Sequence, residues 1–235
     1  IGDLAICPSN PEIVWVGTGE ANIFRSSNPG CGVWKTTDGG QTWRDLEAVL
    51  GSTAAIERLQ VHPTDPDIAY VAAVGHLWGY GGERGLYKTT DGGESWQRIL
   101  GGGDYTGVNE VHLDPRDPDV IYAVRHQRFR NVAALINGGP ESGIFKSTDA
   151  GATWTELTNG LPDGEKGRIA VAVAPSDPNV VWVGTGSACP RGNVSPGDGI
   201  YKSTDAGDSW RHMGLSDAGQ IARVVIQYNR EFLRT

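Results

Sequence analysis

The sequence predicts an all-β fold, a β-propeller of four-stranded antiparallel blades with four complete blades and a partial fifth. An eight-residue phrase that ends in Trp occurs four times, at 36–43, 89–96, 147–154 and 203–210. A second phrase, Pro-x-Asn/Asp-Pro, occurs at 8–11, 63–66, 115–118 and 175–178. Apolar residues alternate before each Pro phrase with the period of a β-strand. The unit repeats every 53 to 58 residues, somewhat more than the roughly 40 to 50 residues of a propeller blade, so the excess should lie in loops.

Each unit is interpreted as four strands, A to D, in chain order. Strand A ends at the Pro phrase, because Pro stops one strand and begins the next. Strand B follows it and is apolar on both faces, which is typical of a strand between two sheets. Strand C leads into the Trp phrase and strand D leaves it. The predicted blades span about 1–50, 51–104, 105–160 and 161–217 of a single domain, 1–235, with an extra strand at 220–227.

The Trp phrase is interpreted as a structural hairpin turn. Its Asp accepts hydrogen bonds from the turn, its Gly supplies a positive φ, and its Trp is expected to pack back on the hairpin. These structural residues are Asp38, Gly40, Trp43, Asp91, Gly93, Trp96, Asp149, Gly151, Trp154, Asp205, Gly207 and Trp210.

The phrase S/T-x-D-x-G-x-S/T-W resembles the Asp box of the bacterial neuraminidase repeat β-propellers, a superfamily of sialidases, xyloglucan-cleaving hydrolases, sortilin-type receptors and photosystem assembly propellers. The likeness is greatest to exported bacterial repeat proteins of sortilin-like or glycosyl-hydrolase-like type, through the phrases at 17–20, 75–79 and 192–194. It covers nearly the whole chain, to about Ile226. It implies the fold, whereas the hydrolase function is analogy.

Three arrangements of the ring remain open from the sequence. The chain is a small closed ring with the extra strand at the seam, a fragment of a larger propeller, or a ring completed between chains. An open sheet edge is an aggregation hazard, so a homo-oligomer formed through the C-terminal strand is one expectation. The start at Ile1, without a signal-peptide pattern, suggests a processed chain or an excised fragment.

Composition excludes several function classes. The net charge is -8, and no basic stripe marks a nucleic-acid partner. No apolar stretch approaches the roughly 18 residues of a membrane span. Three cysteines are too few for a disulfide scaffold, although Cys31 and Cys189 lie in corresponding loops and could bridge. No metal site or cofactor is expected.

The predicted ligand face carries the B–C loops at 20–31, 76–84, 126–142 and 187–198, which differ in every unit. Binding residues usually lie on variable loops of a fixed scaffold. Arginines suit bidentate contacts to anions, and Trp78 is placed to stack on a sugar ring. The candidate ligand-binding residues are Glu20, Arg25, His76, Trp78, Arg125, His126, Arg128, Arg191 and Asn193.

Three function classes follow, and the expected partner is a carbohydrate or a peptide. The first is a non-catalytic binding propeller, secreted or periplasmic and bacterial. The alternative is a glycoside hydrolase, sialidase-like or xyloglucanase-like, whose chemistry needs two carboxyl groups. Glu20 and Asp198 are the weak catalytic candidates, because neither lies in a catalytic signature. A third reading is a structural fragment that completes a larger propeller by assembly.

Overall fold

The structure is a computed structural model that describes residues 1–20, 30–46, 55–76, 78–186, 197–221 and 223–226. These residues form an all-β protein with four antiparallel sheets that follow one another along the chain. Within each sheet the strands are hydrogen-bonded in sequence order, so each is an up-and-down meander. One further short strand, β11, extends the third sheet.

The strands have the following bounds. Sheet 1 contains β1 Asp3–Ile6, β2 Val14–Gly17, β3 Val33–Thr36 and β4 Arg44–Asp45. Sheet 2 contains β5 Ile56–Val61, β6 Ala69–Ala73, β7 Gly85–Thr89 and β8 Gln97–Leu100. Sheet 3 contains β9 Thr106–Leu113, β10 Ile121–Arg130, β11 Leu135–Asn137, β12 Gly143–Ser147 and β13 Thr155–Leu157. Sheet 4 contains β14 Ile169–Val173, β15 Val181–Thr185, β16 Ile200–Ser203 and β17 Arg211–His212, followed by a 3-10 turn at Ser216–Ala218.

Three apolar cores hold the sheets together, and each lies between two neighbouring sheets. The first joins sheets 1 and 2, the second joins sheets 2 and 3, and the third joins sheets 3 and 4. The second strands of sheets 2 and 3 therefore face an apolar core on both sides, as in β6, where all five residues are buried. This face-to-face stacking explains why the predicted B strands are apolar throughout.

The Asp-box turn closes on itself through side-chain hydrogen bonds. Thr36 Oγ1 donates to Asp38 Oδ1 (2.7 Å), and Thr42 donates to the same carboxylate from its N–H (2.9 Å) and its hydroxyl (2.6 Å). The N–H of Gly40 donates to Thr36 Oγ1 (3.0 Å). The other three turns repeat these contacts around Asp91, Asp149 and Asp205. The hydroxyl and N–H of Thr42 are the main donors that lower the pKa of Asp38 to about 2, since hydrogen bonds favour the ionised carboxylate.

The Asp-box turn also binds the Pro-phrase turn of its own sheet. In sheet 1 the N–H of Gly39 donates to the carbonyl of Glu12 (3.0 Å), and in sheet 3 the N–H of Ala150 donates to that of Asp119 (2.9 Å). The residue after the box Asp has a left-handed backbone, with φ of 68° at Gly39 and 56° at Ala150. Glycine adopts this conformation without the steric cost that a Cβ adds.

Replacing Ala150 by Gly is expected to raise the free energy of unfolding by about 0.5 to 1 kcal/mol, because the left-handed strain of Ala outweighs the added chain entropy of Gly. Urea unfolding followed by circular dichroism measures the change. The matched control is Ala152→Gly, which changes the same residue type in the same turn, where φ is not positive, and should not stabilise the protein. Equal effects at both positions would contradict the strain argument.

The box Trp packs between sheets, which extends the prediction that it packs on its own hairpin. Trp96 of sheet 2 meets Trp15 of sheet 1 edge to face, with ring centroids 6.0 Å apart. Trp154 packs against the core between sheets 2 and 3, and Trp210 is buried in the core between sheets 3 and 4. The box Trp residues of sheets 2, 3 and 4 thus each join their sheet to the preceding one, whereas Trp43 of sheet 1 is exposed.

Two predicted segments differ from the structure. The B–C loop predicted at 126–142 begins instead as strand, because β10 continues to Arg130 and pairs with β11 in a hairpin. The stretch predicted as an extra strand at 220–227 has no strand pairing in its described part, 220–221 and 223–226. It lies against sheet 4 through the side chains of Ile221 and Val224, which contact Gly184.

Candidate functional site

The two ends of the four sheets carry different connections between strands. The Pro-phrase and Asp-box turns share one end, where the hydrogen bonds between them leave little freedom. The opposite end carries the connections from second to third strands and from one sheet to the next. We call this end the loop face. It is the face on which the sequence analysis predicts a ligand-binding site.

A crevice of about 80 Å³ opens on the loop face between sheets 3 and 4. Its charged lining consists of Glu165, Lys166, Arg168 and Asp198. Apolar side chains, among them Ile144 of sheet 3, line the rest. Of these charged residues, the sequence singled out only Asp198, as a weak catalytic candidate.

Asp198 is held in place within the crevice. Its N–H donates to Thr185 Oγ1 (2.8 Å), and its carboxylate oxygen Oδ2 accepts a hydrogen bond from the Tyr201 hydroxyl (2.6 Å). Burial and this neighbouring carboxylate raise the pKa of Tyr201 to about 12. Tyr201 is therefore a neutral hydrogen-bond donor to Asp198 at neutral pH.

Arg168 connects the crevice to a polar cluster on the first strands of the sheets and on β10. Its guanidinium lies 3.1 Å from the Glu57 carboxylate, whose side chain is 1% exposed. We call Asp3, Glu57, Arg58, Glu110, His112, His126, Arg128 and Arg168 the inner cluster. The cluster joins all four sheets through charged side chains rather than through apolar packing.

Arg58 is the bridging residue of the inner cluster. It binds the Glu110 carboxylate of sheet 3 with two nitrogens, Nε at 2.9 Å and Nη2 at 3.2 Å. It also lies 4.0 Å from Asp3 of sheet 1, and that carboxylate accepts the N–H of Leu59 (2.8 Å). Neighbouring first strands thus alternate in charge, from Asp3 to Arg58 to Glu110.

The two buried glutamates of the inner cluster differ in ionisation. Burial raises the pKa of Glu57 despite the opposing effect of Arg168. Burial would also raise the pKa of Glu110, but the hydrogen bond from His112 and the charge of Arg58 outweigh it, so that pKa is lowered. Glu57 is thus the carboxyl group that gains a proton more readily, and Glu110 stays ionised.

His126 and Arg128 belong to this inner cluster rather than to an exposed loop. Both are buried on the extended part of β10. Burial, with the positive charges of Arg128 and Arg168, lowers the pKa of His126 to about 3. The sequence places these two candidate ligand-binding residues in a B–C loop, whereas in the structure they lie on β10 and are buried.

The inner cluster corresponds to an interruption of the apolar pattern in the sequence. Glu57 and Arg58 are consecutive in β5, and Asn109 and Glu110 are consecutive in β9. Consecutive polar residues interrupt the apolar alternation expected of a first strand. The carboxamide oxygen of Asn109 is buried without a hydrogen-bond partner among the described residues.

The other predicted ligand residues fall into three groups. Glu20 is exposed and His76 is half-buried. Arg125 serves the scaffold, since its guanidinium stacks on Phe145 and donates to the carbonyls of Glu141 and Gly101 (both 3.1 Å). Arg25, Arg191 and Asn193 lie outside the described residues, as does Cys189, while Cys31 is an exposed free thiol.

Trp78 and Tyr80 are exposed on a loop whose backbone is held by the side chain of Arg84. The buried guanidinium of Arg84 donates to the carbonyls of Gly79 (3.0 Å) and Gly81 (3.1 Å), and also to those of Val74 and His76. Arg130 covers one side of the Trp78 ring at 4.9 Å. Arg84 therefore holds the backbone that carries these two exposed rings, and an exposed aromatic ring favours stacking on a flat ligand.

Metal chemistry finds no support in the described part of the chain, where no group of three His, Cys, Asp or Glu side chains is arranged to hold an ion. No helix among the same residues is long and apolar enough to cross a membrane. The loop face offers carboxylates, cations and exposed aromatic rings, a mixture that suits polar ligands with flat apolar sides.

Comparison with curated proteins finds xyloglucanases. The chain is 28% identical over 177 residues to a xyloglucanase of Hypocrea jecorina, an alignment that covers 71% of this chain and 18% of the relative. It is 25% identical to xyloglucanase Xgh74A of Acetivibrio thermocellus, over 86% of this chain and 25% of the relative. The chain thus spans only about a fifth to a quarter of the length of these relatives.

Solved structures give the same fold. The GH74 xyloglucanase of Xanthomonas campestris superposes with a TM-score of 0.62 and 18% identity, over 90% of this chain and 29% of that one. These neighbours are β-propellers, and the likeness extends over all four sheets. A family model described as sortilin and neurotensin receptor 3 matches residues 31–161, more than half of the chain. The chain therefore belongs to the sortilin-Vps10 family.

Proposed function

We propose that this chain binds carbohydrate on its loop face, as part of a glycoside hydrolase-like propeller. The observation that carries the proposal is the crevice between sheets 3 and 4, where Glu165, Lys166, Arg168 and Asp198 surround an apolar interior. Sugar hydroxyl groups bind carboxylates and cations, and the C–H face of a sugar ring packs on apolar surface. The xyloglucanase names of the relatives support a polysaccharide as the ligand.

The size of the crevice sets what it accepts. Its volume of about 80 Å³ is far below the roughly 300 to 1,000 Å³ of pockets that enclose a drug-sized ligand. The crevice therefore takes one part of a sugar residue, and the remainder of an oligosaccharide lies on the open loop face. Exposed rings such as Trp78 and Tyr80 supply stacking surfaces there. A polysaccharide ligand also agrees with the predicted secreted or periplasmic location.

The experiment is a calorimetric titration of the chain with neutral xyloglucan oligosaccharides, sialylated oligosaccharides and short peptides. Asp198→Asn and Glu165→Gln are expected to weaken binding of the neutral oligosaccharide by about 10- to 100-fold each, since a hydrogen bond to a charged group contributes about 1.5 to 3 kcal/mol. The matched control is Asp163→Asn, an exposed carboxylate of the same connection that does not line the crevice. Binding of peptides alone, or equal weakening by the control, would reject the proposal.

Hydrolysis is the second candidate function. Two carboxyl groups, Glu165 and Asp198, line the same crevice, and glycoside hydrolysis needs a pair of carboxyl groups across the scissile bond. Mass spectrometry of the oligosaccharides after incubation distinguishes the two functions. New products that disappear in either variant would indicate an enzyme, whereas binding without products would indicate a carbohydrate-binding module.

A further inference from the structure

Two first strands of the molecule contain a β-bulge, and a polar residue is the extra residue of each. In sheet 2 the register of β5 on β6 shifts between Ile56 and Arg58, so Glu57 is the extra residue. In sheet 3 the register of β9 on β10 shifts in the same way at Asn109. A bulge re-aims the side chain of its extra residue, and bulges are frequent next to functional sites.

Both re-aimed side chains contact the same wall of the crevice. The Glu57 carboxylate lies 3.1 Å from the Arg168 guanidinium. The side-chain amide of Asn109 donates to the carbonyl of Ile169 (3.2 Å). Arg168 and Ile169 are consecutive residues that line the crevice. Two sheets thus use the same device to place a polar side chain on one segment, which indicates that the bulges serve the wall of the crevice.

The backbone of this wall is fixed by other contacts. The N–H of Gly139 donates to the carbonyl of Lys166, and the N–H of Gly186 donates to that of Arg168 (both 3.1 Å). The freedom that remains at Arg168 is therefore that of its long side chain. Ordering such a side chain opposes ligand binding unless the protein has already ordered it.

Glu57 is suited to order the Arg168 side chain before a ligand arrives. The side chain of Glu57 is 1% exposed, whereas that of Arg168 is 19% exposed and reaches the crevice. Neither carboxylate oxygen of Glu57 accepts a hydrogen bond from the described residues. The neighbouring Arg58 is bound to Glu110. The buried carboxylate is thus left to act on Arg168 through their ion pair.

We propose that Glu57 is a positioning residue of the carbohydrate site, whose ionised carboxylate holds the Arg168 guanidinium ready to bind a sugar hydroxyl group. The inference rests on the proposed carbohydrate function. A proton on Glu57 removes the ion pair and frees the guanidinium, so the ligand binds the ionised state more tightly. Because such coupling is reciprocal, binding releases a proton wherever Glu57 is partly protonated.

Charged groups from four parts of the chain face Glu57. Burial raises its pKa, and Glu110 on β9 acts in the same direction. Arg168 before β14, Arg128 on β10 and Arg58 on β5 itself oppose this rise without cancelling it. The affinity for the oligosaccharide is therefore expected to decrease as the pH falls through the raised pKa of Glu57.

Calorimetric titration with a neutral xyloglucan oligosaccharide, from about pH 9 to about pH 5 and in buffers of different ionisation enthalpy, tests the proposal. The wild type is expected to lose affinity towards the acid end and to release a proton on binding. Glu57→Gln should bind about 2- to 10-fold more weakly than the wild type at the highest pH, since the ligand must then order Arg168. Its proton release should be lost. His126, whose pKa is about 3, does not titrate in this range.

A double-variant cycle shows whether Glu57 acts through Arg168. In an Arg168→Met background, Glu57→Gln should change the affinity by less than about twofold, since the group that it positions is gone. The control is Glu110→Gln, which removes a second buried carboxylate that is bound to Arg58. This control should leave the affinity at the highest pH unchanged. Circular dichroism confirms that each variant is folded, and if Arg168→Met does not fold, the proton release of wild type and Glu57→Gln decides.

The outcomes separate this inference from the function on which it rests. A wild type that binds no oligosaccharide rejects the carbohydrate function and the positioning role with it. Oligosaccharide binding with the same affinity and proton release in wild type and Glu57→Gln overturns the positioning role alone. Equal weakening by Glu110→Gln also overturns it, because the loss would then reflect a general loosening of the inner cluster.

Discussion

Replacing Arg168 by Ala is expected to lower the free energy of unfolding at pH 7 by about 3 to 5 kcal/mol, the cost of leaving one partner of a buried ion pair uncompensated. The Glu57 carboxylate lies 3.1 Å from the Arg168 guanidinium and its side chain is 1% exposed. The positive charges of Arg128 and Arg58 lower the pKa of Glu57 less than the charge of Arg168 does. The substitution therefore removes the strongest compensation of a desolvated charge. Equilibrium unfolding in urea measures the loss.

The loss in Arg168→Ala should depend on pH in a defined direction. Burial raises the pKa of Glu57, and without Arg168 the pKa rises further, because the attraction that lowered it is gone. The folded state then prefers the protonated, neutral carboxyl group. The destabilisation is therefore full above the raised pKa in the folded state, and it decreases as pH falls through that pKa towards the unfolded value of about 4.3.

A second substitution provides the rescue. Glu57→Gln in the Arg168→Ala background removes the buried charge and should recover most of the loss at pH 7. The matched control is Arg116→Ala, which removes an Arg from an exposed ion pair with Asp177 at 3.2 Å and should cost less than about 1 kcal/mol. A loss at Arg168 no larger than that at Arg116, or a double variant as unstable as the single one, would refute the argument.

The Asp-box turns could be predicted from the sequence because their contacts are local. Thr36, Asp38 and Thr42 satisfy one another within seven residues, so the phrase alone determines the turn. The four sheets and their strand order followed from the repetition of that phrase. The contact from Lys35 to Gly92 could not be predicted, since it depends on how one sheet is oriented on the next.

The residues of the candidate site and the inner cluster were predicted less completely, for three physical reasons. Glu165 and Arg168 lie in a connection between sheets rather than in a B–C loop, and only the stacking of sheets 3 and 4 brings them beside Asp198. Glu57 lies in β5, a strand that is expected to pack through apolar residues. The sequence shows that this residue is polar, but it does not show that the residue is buried. His126 was assigned to a loop because the pairing of β10 with β11 has no turn signature of its own.

The second large effect is expected at His126, whose titration should lower the free energy of unfolding as the pH falls. Its pKa of about 3 in the folded state lies below the value of about 6.5 in an unfolded chain. Between these pH values the unfolded chain binds a proton that the folded protein does not, so stability falls as pH decreases from about 6.5 and levels off below about 3. The contribution of this one residue is on the order of 5 kcal/mol across the window, at about 1.4 kcal/mol per pKa unit.

The comparison of wild type with His126→Gln isolates this contribution, because Gln is polar and does not titrate. The wild type should lose stability relative to the variant from pH 6.5 to pH 4.5. This range lies above the one in which the Asp boxes change stability, which runs from the Asp pKa of about 3.9 in an unfolded chain down to about 2 for Asp38 in the folded state. Glu57 acts with the opposite sign, gaining stability as pH falls, but it does so in both proteins and cancels in the difference. Parallel stability curves for the two proteins, or an imidazole of His126 that titrates near pH 6.5 by NMR in the folded state, would show that Arg128, Arg168 and burial do not hold this ring neutral.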